Sequence, residues 1–502
     1  MPKLRPFLIV LLLANLPAIA NAQTFQSGFA ERDITPEIGS EAPGGYGKVY
    51  HKFVHDACKV RAAVFDDGKT KVALVGIDAI AIHHSTTLNV RKAIADKTGM
   101  DPNAILIGAS HSHSSGPTMG VMPNEYDHAS DIVKKLAYEQ STCADPKYLA
   151  KVEKALIDAV CSAHDSRVAV KAGIGKGFEP TVAFNRRFKM RDGRAITHPG
   201  VGNPEIVEPA GPVDPEVGVI GVWNEKKELV GCVVNFACHA TTSPGGISAS
   251  YIHYLEKVIQ GYYGKNAVVV FLNGASGDIT QVDNRNPYRH PEAEKWAQIV
   301  GGKIGAEALK VLLLMETGTM TPVAFQSKVM TIKKRPPSPE KVKQSLALVQ
   351  QDPKVVGATE WTFAKEIMML DAQLQKWPTA EVEVQAIQVG PAVFLTTPAE
   401  YFCQFGLDQK AKSGFAFTFP VSLANGCVGY VPTEDAFGEN GGGYETRLTS
   451  YSNLDIKAGP QMRDAGIELA KKLQPGVAPM PLKPLPFNGQ PWSYGNVRPE
   501  LK

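Results

Sequence analysis

The sequence predicts an α/β fold: a mixed β-sheet core flanked by helices, with a reactive site at the strand ends. Three observations carry this. Short apolar runs of strand length alternate with stretches long enough for helices. Four of the apolar runs end in dense polar clusters. No internal repeat or low-complexity block breaks the order, which favours a sandwich of layers around one sheet system.

Taken in order, Val72–Ile77 reads as a buried strand, residues 86–98 as a helix and Ala104–Gly108 as the next strand. Val217–Trp223 and Leu229–Phe236 read as a strand pair across the charged turn Asn224-Glu225-Lys226-Lys227. A helix at 250–262 leads to the strand Ala267–Leu272. Helices follow at about 291–315, 338–350 and 358–376, then strands at 381–389 and 392–397, then a helix from Ala399 that Glu400 opens. Residues 178–215, rich in Gly, Pro and Arg, read as a long loop, and loops of that length are often functional. Pro475–Lys502 is proline-rich and aperiodic, and reads as an extended surface strap.

The first residues set the compartment. Lys3 and Arg5 precede a nearly unbroken apolar run from Phe7 to Ala20, and Ala20-Asn21-Ala22 has the small-x-small pattern of a signal peptidase site. The run is short for a membrane span, so residues 1–22 read as a secretory signal and the protein as secreted or periplasmic; an uncleaved anchor is the alternative. No later run reaches transmembrane length. Removal of the two basic residues takes the formal charge from +3 to about +1, and no long basic block remains, which argues against a nucleic-acid partner. The remaining chain can bury a large core, assigned as one domain over residues 23–474. Seven cysteines form no Cys-x-x-Cys pair, which argues against a zinc knuckle, and their odd number leaves at least one without an intrachain partner. Cys232 and Cys238, in an apolar run, read as core.

In open α/β sheets ligands bind beyond the carboxyl ends of the strands. Four clusters stand there: Ser110 to Pro117 with His111 and His113, Asn235 to Thr241 with His239, Asn273 to Asp278, and Thr396 to Glu400. In an extended segment His111 and His113 point to opposite sides, so one is expected to meet a metal and the other to stand behind it. Each cluster alone has a plain structural reading: a hydrogen-bonded histidine, a carboxylate in the first turn of a helix, a tight glycine turn. Two imidazoles and a carboxylate together are a common ligand set for a catalytic zinc with an open position. Arg186, in Asn185-Arg186-Arg187, offers a planar donor suited to a carboxylate or an oxyanion.

These motifs resemble the neutral, non-lysosomal ceramidases. Asp33-Ile34-Thr35-Pro36 and Gly44-Gly45-Tyr46-Gly47 look like that family's opening. His111 to Pro117 resembles its His-Thr-His-Ser-Gly-Pro with one extra serine. Asn185-Arg186, His239, Pro398-Ala399-Glu400-Tyr401, Gly429-Tyr430-Val431-Pro432-Thr433 and Gly443-Tyr444-Glu445 match in order and rough spacing over most of the chain. The resemblance implies one zinc ion per chain on His111, His239, Glu400 and Tyr430, with His113, Arg186 and Tyr444 orienting substrate and stabilising charge. It implies hydrolysis of an amide in a small or lipid-like substrate.

Two departures matter. Where the family reads Ser-Asn-x-Gly-Asp-x-Ser-Pro and its first serine is the nucleophile, this chain has Gly274-Ala275-Ser276-Gly277-Asp278-Ile279-Thr280-Gln281. Glycine holds the nucleophile position and Ser276 is displaced by two residues, so attack is expected from water activated by zinc. Asp278 remains, to orient the loop or accept a proton. Because the sequence stops at residue 502, a counterpart of the family's immunoglobulin-like C-terminal domain is expected to be absent, which weakens the implication that ceramide is the substrate. An esterase or lactonase, and a binding protein without catalysis, are the alternatives.

Overall fold

The computed structural model describes residues 25–288, 291, 293–481, 486–487, 489, 494 and 498–502. The signal sequence read at residues 1–22 lies outside them. Three βαβ units organise the chain, and each supplies one parallel strand pair to an otherwise antiparallel sheet.

The first unit contains β1 (Gln26–Asp33), β2 (Lys59–Asp66), β3 (Lys71–Ile77), α1 (His84–Thr98), β4 (Ile105–Ala109), α2 (Asp131–Tyr138), α3 (Pro146–Asp165) and β5 (Val168–Ala169). Its sheet has the order β4-β3-β2-β1-β5, with β3 and β4 parallel around the α1 crossover. Asp145 caps α3 by accepting from the Lys147 and Tyr148 amides, with Pro146 pre-set in the first turn.

The second unit contains β6 (Lys171–Phe178), β7 (Phe184–Asn185), β8 (Arg187–Met190), β9 (Ala195–Thr197), β10 (Ile206–Pro209), β11 (Glu216–Trp223), β12 (Leu229–Phe236), α4 (Tyr251–Tyr263), β13 (Val268–Asn273), β14 (Ile279–Thr280) and α5 (Ala293–Leu313). Its main sheet is β13-β12-β11-β6, with β12 and β13 parallel around α4. The stretch 178–215 is therefore not one irregular loop. It folds into short strands, and β7 pairs with β14 to bring Asn185 opposite Ile279.

The third unit contains β15 (Val323–Lys333), α6 (Pro339–Val349), α7 (Pro353–Val356), α8 (Ala358–Lys376), β16 (Thr379–Val389), β17 (Ala392–Thr396), β18 (Glu400–Tyr401), α9 (Cys403–Lys412), β19 (Phe417–Val421), β20 (Tyr430–Val431) and α10 (Ala458–Lys471). Its sheet is β15-β16-β17-β19, with β17 and β19 parallel.

The first two sheets lie face to face with helices outside, in four layers. Val60, Ala62 and Val64 face α1 and α3, while Ala63 and Phe65 on the other face of β2 meet Ile220, Val233 and Val270 of the second sheet and Phe394 and Phe419 of the third. With both faces covered, these strands read as nearly continuous apolar runs. The sheets approach closely at Gly76, where an added Cβ would lie 2.5 Å from the Phe271 carbonyl oxygen. On the outer side α4 and α5 pack through Gly301, which leaves no room for a side chain against the Tyr251 carbonyl. The expected mixed α/β architecture is present, with its strands divided among several sheets.

One expected element is corrected. Glu400 does not open a helix. Its amide donates to the Gly429 carbonyl, and Glu400–Tyr401 pairs in parallel with Tyr430–Val431, so α9 starts only at Cys403. All seven cysteines are free, and Cys232 and Cys238 are fully buried as expected of core residues. Among the described residues no helix is long and apolar enough to cross a membrane.

Candidate metal centre

Each βαβ unit ends a strand at the same place. His111 follows β4, His239 follows β12, and Glu400 follows β17. The first two loops are tied together by a parallel bridge between Ser112 and Ala240 and by the His113 amide donating to the Ala240 carbonyl at 3.3 Å.

The expectation that His111 and His113 point apart is corrected. His111 sits at φ +65°, in the left-handed region, so the segment is not extended and its side-chain alternation is broken. The ligand atoms of His111, His113 and His239 all lie within 4.8 Å of one another. A non-glycine residue held in this region costs about 1–3 kcal/mol and persists where its surroundings enforce it.

The nitrogens are oriented from behind. His111 Nδ1 lies 2.8 Å from the Ile80 carbonyl oxygen, and His239 Nδ1 lies 2.7 Å from that of Ser276 and 2.8 Å from that of Ile279. A carbonyl only accepts, so each Nδ1 is the protonated nitrogen and each Nε2 presents its lone pair. Both lone pairs face one carboxylate oxygen: Glu400 Oε2 is 3.2 Å from His111 Nε2 and 3.0 Å from His239 Nε2. Burial and then the Arg186 charge lower His239 to about 4, so its ring is neutral at pH 7. Burial, with His111 and His239 beside it, also holds His113 well below the usual imidazole range. Glu400 is wholly buried, and its contacts with the two imidazoles outweigh the desolvation that would raise it. Two imidazole nitrogens and a carboxylate oxygen thus converge, and the His239 ring is neutral at pH 7. This is the chemistry of a divalent cation site, and the two-imidazole, one-carboxylate set fits zinc.

Tyr430 joins through strand pairing. It is the direct β20 partner of Glu400 in β18, which sets the two residues side by side. Burial pushes its phenol up, and Arg186 pulls it back. The Arg186 guanidinium stands 5.3 Å from the Tyr430 ring centre. Its Nε donates to Glu445 Oε1 at 2.7 Å, its Nη2 to the Gly277 carbonyl at 2.8 Å, and its Nη1 lies 3.2 Å from His239 Nε2.

The fold has solved counterparts. No family model matches the chain. In sequence, the neutral ceramidase of Pseudomonas aeruginosa strain PAO1 is 23% identical over 240 residues, 46% of this chain and 32% of that protein. The sequence match thus spans about a third of that relative's length. In structure, a ceramidase complexed with C2 superposes with a TM-score of 0.67 at 16% identity, covering 91% of this chain and 77% of that one. The neutral ceramidase crystal structure from P. aeruginosa gives 0.66 with the same identity and coverage.

The chain has the neutral ceramidase fold.

In this ceramidase-like chain His111 and His113 open onto a pocket that Glu400, Tyr430 and Tyr444 also line. Tyr444 is 37% exposed, and its ring packs edge-on against Tyr430 and Tyr46, at 5.4 and 6.4 Å between centres.

Asp278 stands apart from the cluster. Its Oδ2 accepts from Asn185 Nδ2 at 2.7 Å and its Oδ1 from the Cys403 amide at 2.8 Å, while its carbonyl accepts from the Arg186 amide. Both oxygens are committed to tying this turn to Asn185, next to Arg186, and to the start of α9 at Cys403. Complete burial raises its pKa to about 6. Gly274 has no space for a side chain, since a Cβ would fall 2.8 Å from that of Ala237. Ser276 Oγ accepts from Asn273 Nδ2, and its carbonyl holds His239. Sequence reasoning missed Tyr451, whose hydroxyl donates to Glu400 Oε1 at 2.8 Å, and gave no role to Glu445, fully buried against Arg186. Glu445 lies next to Tyr444 in a quoted motif, which was the available signal. Tyr451 had none.

Proposed function

We propose that this ceramidase-like chain is an exported zinc hydrolase of an amide bond, with one zinc ion held by His111, His239, Glu400 and Tyr430. The observation that carries the reading is the convergence of two imidazole Nε2 atoms on Glu400 Oε2, each ring fixed from behind by a backbone carbonyl. The resemblance to neutral ceramidase supports a lipid-like or small N-acyl substrate. Zinc at such a site supplies a Lewis acid that polarises an acyl oxygen and acidifies water toward neutral pH.

The chain's own residues divide the remaining work. Tyr451 holds Glu400 by Oε1 and so leaves Oε2 to the cluster. Arg186 is a positioning residue: anchored by Glu445 and the Gly277 carbonyl, it adds to the burial that keeps His239 neutral and pulls the Tyr430 phenol down against the burial that raises it. His113 lines the cavity as a neutral imidazole, able to hold or return a proton at Nε2 near a developing amine. Tyr444 offers a phenolic donor at the cavity wall, where charge develops on the acyl oxygen. Asp278 positions the 277–279 turn rather than touching substrate. The glycine at 274 and the occupied hydroxyl of Ser276 favour water over serine as the nucleophile.

The test is elemental analysis of the purified protein together with a panel of acyl amides and matched esters, with and without a zinc chelator. We expect close to one zinc per chain and amide hydrolysis that chelation abolishes. Absence of stoichiometric metal, or turnover indifferent to the chelator, would refute the proposal.

A further inference from the structure

The cavity has a second polar wall that amide cleavage leaves unused. Glu125 lines it, accepting from the Met122 amide at 2.9 Å and from Gln373 Nε2 at 2.8 Å. Lys334 and His128 feel its charge, but neither forms an ion pair with it among the described residues. Burial accordingly pushes Glu125 above the usual carboxylate range, more than these neighbours pull it down. Gln373 is 9% exposed, and its Oε1 has no hydrogen-bond partner. Glu366, 3% exposed, accepts from Ser450 Oγ and lies 3.3 Å from Lys365 Nζ. Lys365 also donates to Ser141 Oγ at 2.7 Å. Glu366 is thus paired with Lys365, Glu125 has no cation within ion-pair distance among the described residues, and a buried amide oxygen lacks a donor. The wall keeps a buried carboxylate without a direct ion pair beside an unpartnered amide oxygen, while Met119 and Met369 supply apolar surface between.

We propose that this wall binds an ammonium group, so that the substrate is an N-acyl compound carrying a primary amine at the end remote from the scissile bond. An ammonium is a compact charge with three donors, which suits Glu125 and Gln373 Oε1 together. Its alkyl stem lies along the methionines while the charged head meets the carboxylate. A plain hydrocarbon chain would instead leave the Gln373 oxygen without a donor and the Glu125 charge without a counter-charge.

The inference rests on the reading of this cavity as the substrate site, and its test is separable from turnover. Calorimetry at pH 7 compares n-hexylammonium with 1-hexanol, on the protein as isolated and again after chelator treatment, so that an amine bound to metal is told apart. We expect the ammonium to bind at least tenfold tighter in both preparations. Glu125→Gln should cut that preference at least fivefold, and if that variant does not fold, Gln373→Met, which deletes the unpartnered oxygen, should reduce it about threefold. Equal affinity for the two probes, or a preference lost with the metal, overturns the inference. Preferential ammonium binding without any amide hydrolysis supports the inference and refutes only the proposed reaction. Amide hydrolysis with no ammonium preference does the reverse.

Discussion

Glu256→Gln tests the ion network that ties β2 of the first unit to α4 of the second. Arg61, 2% exposed on β2, reaches Asp78 Oδ2 with Nη1 at 2.8 Å and Glu256 Oε2 on α4 with Nη2 at 2.8 Å. Lys59 Nζ adds a contact to Glu256 at 3.2 Å. Burial alone would raise Glu256, but Arg61 and then Lys59 outweigh it and hold the carboxyl at about 2, against an ordinary value of 4.5. A folded pKa below the unfolded one stabilises the fold above the unfolded value, and that stability is lost as pH falls toward the folded value. At ~1.4 kcal/mol per unit, the contribution at pH 7 is about 3 kcal/mol. Breaking one side of a buried pair costs a similar ~3–5 kcal/mol. For 502 residues, an unfolding entropy of ~2.1 cal/mol/K per residue gives about 1 kcal/mol/K, so the variant should melt roughly 3 °C lower at pH 7. Thermal unfolding followed by circular dichroism from pH 7 to pH 2.5 reads this directly. The gap between wild type and variant should hold above pH 4.5 and close below it. A gap of constant size across the series, or none at pH 7, would refute the reasoning.

Three further outcomes concern the site. His239→Ala should remove stoichiometric zinc, read by elemental analysis, because one of two imidazoles and the neighbour of Glu400 go together. Tyr451→Phe deletes the hydroxyl bound to Glu400 Oε1 and should weaken zinc about tenfold in competition with a chelator, the usual scale for a residue that orients a ligand. Gly44→Ala should leave zinc in place and lower kcat by tenfold or more. Gly44 sits at φ +92°, and the new Cβ would fall 2.2 Å from His113 Nδ1, so the imidazole must move. A kcat unchanged in that variant would remove His113 from the reaction.

Much of the second and third units was legible because their strands are two-sided apolar runs. β12 and β13, and the clusters after them, stand where the alternation of Val, Ile and Leu with helices puts them. What escaped had a physical reason each time. β2 carries Arg61 in its middle, a charge the sequence cannot show to be neutralised by Asp78 and Glu256. β6 is Lys-Ala-Gly-Ile-Gly-Lys-Gly-Phe, and its glycines lie where Val311, Met315 and Glu307 of the following segment fill the space. The strand looks apolar only once α5 is in place. The helix expected at Glu400 failed because pairing with β20 takes up its backbone amide, a contact thirty residues away that no local propensity reports. The same pairing brings in Tyr430, which resemblance supplied and spacing did not.

The site's geometry follows from distributing its donors over three units. A single loop can bring two histidines together only by bending, and the φ of +65° at His111 is that bend. The third imidazole and the carboxylate come from other sheets, so their approach is fixed by the packing of β4, β12 and β17 rather than by local sequence. Such packing positions side chains to a fraction of an ångström, but it also desolvates them. Desolvation here has a definite chemical direction. It keeps His113 and His239 neutral and, against its own tendency, lets two imidazoles hold Glu400 ionised. A neutral His239 locked by carbonyls and an ionised Glu400 are the states in which each of these groups donates an electron pair. The folding of three sheets against one another therefore sets the protonation that a metal ligand requires, and the acceptor-rich wall of Glu125, Gln373 and Glu366 is left to decide what the site cleaves.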